Sequence, residues 1–160
     1  MKQDKFLIGI VAGILLLVVV SIVVVLTRAP GNEEYRAEDT PEGVVHNYFL
    51  AIQRKEFAKA HGYLSDDLAN KPSLEQFIQE AGNYGSSQEA SLKIGDVTQT
   101  DGVTQVAVTV TSYSGGGPFD SNRYSSDDVA LLRQDAAGQW RITQFPYPYW
   151  AWGWNEPQEN

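Results

Sequence analysis

Thr40-Pro41-Glu42-Gly43-Val44-Val45-His46-Asn47-Tyr48-Phe49-Leu50-Ala51-Ile52-Gln53-Arg54 is the stretch from which the fold is read. Thr40 is an N-cap candidate, and proline follows at the first helical position, where no amide donor is needed. Val44, Val45, Tyr48, Phe49 and Ile52 recur at helical spacing, which predicts an amphipathic helix ending near Arg54. His46 lies two residues before Tyr48, so it points away from that ring and is expected at the surface.

Working towards the C-terminus, Phe57, Ala60, Tyr63 and Leu64 suggest a second, short helix stopped at Asp66-Asp67. Pro72-Ser73 restarts the chain, and Leu74, Phe77, Ile78 and Ala81 predict a third helix that Gly82 and Gly85 end. The period then changes to two. Leu92, Ile94 and Val97 form one strand, and Asp101-Gly102 is a tight-turn signal. Val106, Val108 and Val110 alternate with Ala107, Thr109 and Thr111 in the next. Ser114-Gly115-Gly116-Gly117-Pro118 reads as a flexible hairpin tip. Residues 124–133 make a third strand and Trp140, Ile142 and Phe145 a fourth. Three helices followed by a meander of about four strands predict an α+β fold, with the helices on one face of an antiparallel sheet.

Working towards the N-terminus, residues 6–26 hold no charge and are broken only by Gly9, Gly13 and Ser21. As a helix such a run is roughly 32 Å long, enough for the hydrocarbon core of a bilayer. Its apolar residues go all the way round, unlike a surface helix. It is too long for a usual signal h-region, and Val25-Leu26-Thr27-Arg28-Ala29-Pro30 offers no small-x-small cleavage pattern. Residues 1–27 are therefore expected to be a retained transmembrane anchor, with residues 6–26 in the lipid bilayer. Residues 28–40 are poor in apolar groups and are expected to be a flexible tether.

Lys2 and Lys5 before the run are nearly matched by Arg28 and Arg36 after it, so the positive-inside rule does not orient the chain. The N-terminal, signal-like placement and the absence of cysteine favour a cell-membrane protein whose C-terminal domain is extracytoplasmic.

The chain carries 12 basic and 20 acidic residues, net −8. Only two basic residues and one acid fall within 1–27, so the remainder is more acidic still. Nucleic acid is therefore not expected as a partner, because phosphate binding needs clustered Lys and Arg. Without cysteine, thiol chemistry and lipoprotein processing are excluded. His46 and His61 are 15 residues apart, which is not a metal-ligand spacing. No metal, cofactor or catalytic residue is assigned.

The segment 45–57, its continuation to Ala60, Leu64 and Asp66-Asp67, and the closing Gly138-Gln139-Trp140-Arg141-Ile142 resemble the NTF2-like (cystatin-like α+β cone) superfamily. The resemblance covers residues 40–147. It implies a sheet curled round the long helix to leave a conical pocket, within a domain spanning 41–149. Residues 150–160 form an aromatic and acidic tail. The fold hosts enzymes, ligand binders and adaptor domains alike.

The catalytic template nearest to hand is the ketosteroid-isomerase type, with a tyrosine and a protonated acid facing a carboxylate base. Tyr48 falls where that tyrosine would fall. The second acid's position falls near Ala130, and Asp128 is two residues away on the same strand face. No acid stands where the base is needed. Tyr48 and Asp128 are the pocket candidates, and Tyr48 also reads as a plain core tyrosine.

Tyr149, Trp150, Trp152 and Trp154 are the partner-binding candidates. Their period of two would put the three tryptophans on one face of an extended tail. That tail reads in three ways: folded back over the cone mouth, exposed as a docking surface, or seated in a membrane interface. The composite expectation is a membrane-anchored, non-catalytic accessory or protein-interaction domain, in a membrane complex or a homodimer. The alternative is a ligand binder or isomerase-like enzyme using the cone.

Overall fold

The computed structural model describes residues 5–27, 33–86, 89–117 and 120–156, with side chains described except at 5–7, 24–27, 84, 114–117 and 120–122. The chain divides into two units, Met1–Glu34 and Tyr35–Asn160.

The first unit is one helix, α1 (Lys5–Thr27). The Ser21 hydroxyl donates to the Leu17 carbonyl one turn back at 2.8 Å, which satisfies that polar group within the helix. Among the described residues no helix is long and apolar enough to cross a membrane. The side chains of α1 are described only over residues 8–23.

The second unit opens with α2 (Pro41–Gln53). The Thr40 hydroxyl accepts from the Gly43 amide at 3.1 Å, as expected of the N-cap. At the other end Lys55 takes φ +60°. The Lys55 amide then reaches the Ile52 carbonyl, and the Glu56 amide reaches the Ala51 carbonyl at 2.8 Å. This is a Schellman closure built without glycine.

The helix is not amphipathic: every residue from Gly43 to Ile52 is buried. One face packs into the core. The face bearing Gly43 and Asn47 is covered by the incoming chain. The Asn47 side chain accepts from the Arg36 amide at 2.8 Å and donates to the Arg36 carbonyl at 2.9 Å. A Cβ on Gly43 would stand 1.9 Å from the Ala37 carbonyl oxygen, so this approach requires glycine. His46 is also buried, not at the surface.

The same arm corrects the expected tether. Residues 35–39 are bound to the domain. The Tyr35 hydroxyl donates to Glu56 at 2.9 Å, and Lys59 Nζ sits 3.1 Å over the Tyr35 ring. Tyr63 donates to Glu38 at 2.6 Å, and Trp140 Nε1 donates to the Asp39 carbonyl at 3.1 Å. Residues 28–32 of the expected tether lie outside the described residues.

The short α3 (Phe57–Gly62) follows. Ser73 then caps α4 (Leu74–Phe77) in a reciprocal capping box with Gln76. The expected third helix passes into a π segment (Ile78–Gly82) and a last turn, α5 (Asn83–Gly85).

The sheet is a four-stranded antiparallel meander in the order β1 (Glu89–Thr100), β2 (Val103–Gly117), β3 (Asp120–Gln134) and β4 (Trp140–Gln144). Asp101 and Gly102 both have positive φ, +51° and +76°, giving the type I′ turn that matches strand twist. The first part of the expected glycine loop, 114–117, continues β2, while Pro118 lies outside the described residues. Irregularities between Ile94 and Val97 and between Leu131 and Leu132 curve the sheet.

The concave face presents Val106, Val108 and Val110 from β2, Ala130 and Leu132 from β3, and Ile142 from β4, all buried against α2 and its neighbours. A parallel bridge from Leu64 to Ile142 ties the α3 exit to β4. Antiparallel curved sheet plus helices is the α+β class the sequence predicts.

Candidate functional site

The chain leaves β4 through Phe145 and Pro146 and reverses at a cis peptide between Tyr147 and Pro148. The Tyr149 amide returns to the Pro146 carbonyl at 3.0 Å. This sends Tyr149 back into the cone. Its ring meets Phe49 at 5.0 Å and Phe145 at 6.3 Å between centroids. Gly85 makes room for it, since a Cβ there would come 2.6 Å from the Tyr149 ring. Burial pushes the Tyr149 hydroxyl up to about 12.

Tyr48 is fully buried, with its ring 4.8 Å from Phe145 and 6.2 Å from Phe77. Its hydroxyl donates to the Tyr149 carbonyl at 2.5 Å. Burial holds its ionisation well above the ordinary tyrosine range. Among the described residues the buried polar side chains are His46, Asn47, Ser65 and Thr104, so no described carboxylate is buried near it. The donor that an oxyanion hole would require is thus turned onto the protein's own backbone.

The tail continues as a single 3-10 turn, Trp152–Trp154. That turn breaks the period of two. Trp150 and Trp154 are buried and stand edge-on at 4.7 Å, whereas Trp152 is 75% exposed. Trp154 stacks obliquely on Phe77 at 5.6 Å, and its Nε1 donates to Glu80 at 2.5 Å. The Asn70 amide donates to the Trp154 carbonyl at 3.0 Å, and its side chain donates to the carbonyls of Gly153, at 3.0 Å, and Glu156. Of the four aromatic candidates, Tyr149, Trp150 and Trp154 therefore close the core, and only Trp152 is presented outward. The folded-back reading of the tail describes three of the four rings.

Asp128 lies on the concave face, opposite Val108 and in phase with Ala130 and Leu132. It is not next to Tyr48. It sits in a cleft of about 260 Å³ at the edge of the closed cone, together with Gln144, Tyr147, Trp150, Trp152 and Glu156. The two pocket candidates are therefore separated: one is buried, the other lines an open cleft. Sequence reading missed Tyr147, Gln144 and Glu156 as its companions, because only the reversal at Pro148 brings the tail across the strand.

Other depressions among the described residues include two on the same domain. An open groove of about 870 Å³ includes Asn70, Lys71, Gln76, Glu80 and Trp154. A cleft of about 320 Å³ includes Glu38, Tyr63, Trp140 and Arg141. In the first, Lys71 is paired with Asp66 at 2.6 Å, and Glu80 already accepts from Trp154. In the second, Arg141 donates to Asp135 at 2.9 Å and to the Gly62 carbonyl at 2.8 Å. His61 Nε2 lies 2.8 Å from the Pro72 carbonyl, a structural contact. Among the described residues no group of three or more His, Cys, Asp or Glu could hold a metal ion.

No protein-family model matches the chain, and no curated protein matches it. Solved structures do. A chain from Thiobacillus denitrificans assigned as a calcium/calmodulin-dependent protein kinase type II association domain aligns with TM-score 0.51 at 10% identity, covering 65% of this chain and 90% of its own. A chain from Shewanella frigidimarina assigned as a ketosteroid isomerase aligns at 0.47 and 14% identity, covering 73% and 93%. A chain from Streptomyces avermitilis assigned as an NTF2-like dehydratase aligns at 0.41 and 16% identity, covering 65% and 94%. The structural neighbours thus include NTF2-like folds, and the likeness is one of fold.

Proposed function

We propose that this chain is a non-catalytic, membrane-anchored accessory or protein-interaction domain held outside the cytoplasm. The observation that carries the non-catalytic part is the hydrogen bond from Tyr48 to the Tyr149 carbonyl. It uses the one hydroxyl that an isomerase-like pocket would need, inside a cone sealed by the protein's own tail. An isomerase of the ketosteroid type would need that donor aimed at substrate, with a carboxylate nearby. The Thiobacillus denitrificans chain of similar fold is assigned as an association domain, although fold alone does not carry a role across.

The anchor rests on α1. Residues 8–23 alone are short of a span, but the full helix Lys5–Thr27 has 23 residues, or about 34 Å at 1.5 Å per residue. Lys5 is its one ionisable residue and lies at its end. Ile8, Leu15, Leu16, Leu17 and Ile22 are among its exposed apolar side chains, a surface that favours lipid over water.

The partner is a second protein or a second copy of this chain. The test is the native assembly after mild detergent extraction, read by native gel and by mass spectrometry of co-purifying chains. A stoichiometric larger assembly is expected. A lone monomer overturns the reading, and a homodimer restricts the partner to this chain itself. An anchor that is absent would show as full recovery of the chain in the aqueous fraction without detergent.

A further inference from the structure

We propose that the cleft between Asp128 and the C-terminal turn binds a small organic ammonium cation. Three observations converge there. The first is charge. Asp128 and Glu156 both border the cleft, and among the described residues its remaining polar lining is neutral and no basic residue borders it. The second is exposed aromatic surface. Trp152 is 75% exposed and Tyr147 67%, although the same short segment buries Tyr149, Trp150 and Trp154. The 3-10 turn that directs Trp154 inward leaves Trp152 outward beside the two carboxylates. The third is polar lining that can pair with a hydroxyl: Gln144 and Asn155 border the cleft with neutral side-chain amides.

These features select one chemistry. Aromatic faces attract a cation with an apolar shell, because the ring quadrupole replaces part of its hydration. Carboxylates beside the rings add long-range attraction for positive charge and repel anions. The neutral side-chain amides of Gln144 and Asn155 suit a ligand that also carries a hydroxyl. A quaternary ammonium alcohol has all three properties, and about 260 Å³ accommodates a molecule of choline's size. The larger groove beside Lys71 does not offer this combination, because Lys71 opposes a cation there and the Trp154 donor is already engaged with Glu80.

The experiment titrates the full chain, in maltoside micelles that carry no ammonium group, with choline. Binding is read by tryptophan emission and by calorimetry. 3,3-Dimethylbutan-1-ol, the uncharged carbon isostere, is titrated in parallel. Saturable choline binding with a dissociation constant of about 1 mM or tighter is expected, with the neutral isostere at least about tenfold weaker. Asp128→Asn combined with Glu156→Gln should weaken choline about tenfold. Trp152→Ala should do the same, and Trp152→Phe should restore most of the affinity. All three positions are exposed, so thermal melting should be unchanged in each variant. Absence of saturation by about 20 mM choline, equal binding of the isostere, or wild-type affinity in the variants each overturns the proposal.

Discussion

The hydroxyl of Tyr48 and the carbonyl of Tyr149 are joined by a 2.5 Å hydrogen bond across 101 positions of sequence, in the buried centre of the domain. This bond decides what the cone is: an interior packed by its own chain, with Tyr48 facing backbone where a substrate would otherwise sit. Removing the hydroxyl leaves a buried carbonyl without a donor. Tyr48→Phe is expected to cost about 1–3 kcal/mol of unfolding free energy in urea titration. A change below the error of the measurement would mean that the tail does not seal the cone.

The tail's rings should differ sharply. Trp154 packs on Phe77 and Trp150 and donates to Glu80. Trp154→Ala is expected to cost about 3–5 kcal/mol. Trp152→Ala should fall within about 0.5 kcal/mol of wild type, because its ring is solvated. Denaturant midpoints of the two variants, measured side by side, check this. Equal losses would argue that Trp152 is covered in the folded protein.

Lys55 holds φ +60° at the end of α2, a conformation that side chains with a Cβ occupy at a cost of about 1–2 kcal/mol. Glycine takes it freely. Lys55→Gly should therefore raise stability by roughly 0.5–1 kcal/mol despite glycine's unfolded-state entropy. Calorimetric melting gives the sign directly.

Asp135 accepts from the amides of Gln139 and Ala137 and from Arg141, each at 2.9 Å. These bonds, the Gln139 amide first, hold its carboxyl below the ordinary 3.8. A folded-state value below the unfolded one means that the contribution is complete above the unfolded value and fades as pH falls through the folded value. The stability gap between wild type and Asp135→Asn should thus be widest near neutrality and shrink below 3.8. Chemical denaturation across an acid series reads it, and a gap independent of pH would dismiss this role for the carboxylate.

The chain has no cysteine of its own, so one introduced thiol reports topology without background. Ala136 is exposed in the β3–β4 turn. Ala136→Cys in intact cells or right-side-out vesicles should react with a membrane-impermeant maleimide, to near the extent seen after detergent. Labelling only after detergent would reverse the proposed orientation.

The sequence revealed most of the architecture because its signals are local. Thr40-Pro41 caps and starts α2, Asp101-Gly102 turns β1 into β2, and the β2 valines alternate inward as their period requires. What it concealed depends on contacts distant in sequence. Residues 35–39 carry no periodicity and look like tether. They are held because Asn47 mimics a backbone partner for Arg36 and because Gly43 lets the Ala37 carbonyl approach. His46 is buried where its helical spacing from Tyr48 predicts the surface, because burial on both sides of a helix is not written in its own period. Asp128 shares its strand face with Ala130, but its neighbours in the cleft come from the tail, whose 3-10 turn no local pattern announces. That turn leaves Trp150 buried and Trp152 exposed, where a plain strand would have aligned them.

The way the arm and the tail are held bears on the rate at which this domain forms and fails. Its closing contacts join Asp39 to Trp140, Tyr48 to Tyr149 and Asn70 to Trp154. Such separations slow folding, because loop closure precedes the reward. The tail has little to bind until α2 and the sheet have come together, so its contacts belong to the late side of the barrier. Loosening the tail should then leave refolding nearly unchanged and accelerate unfolding. In kinetic terms, the C-terminal segment is a latch that sets the lifetime of the folded domain.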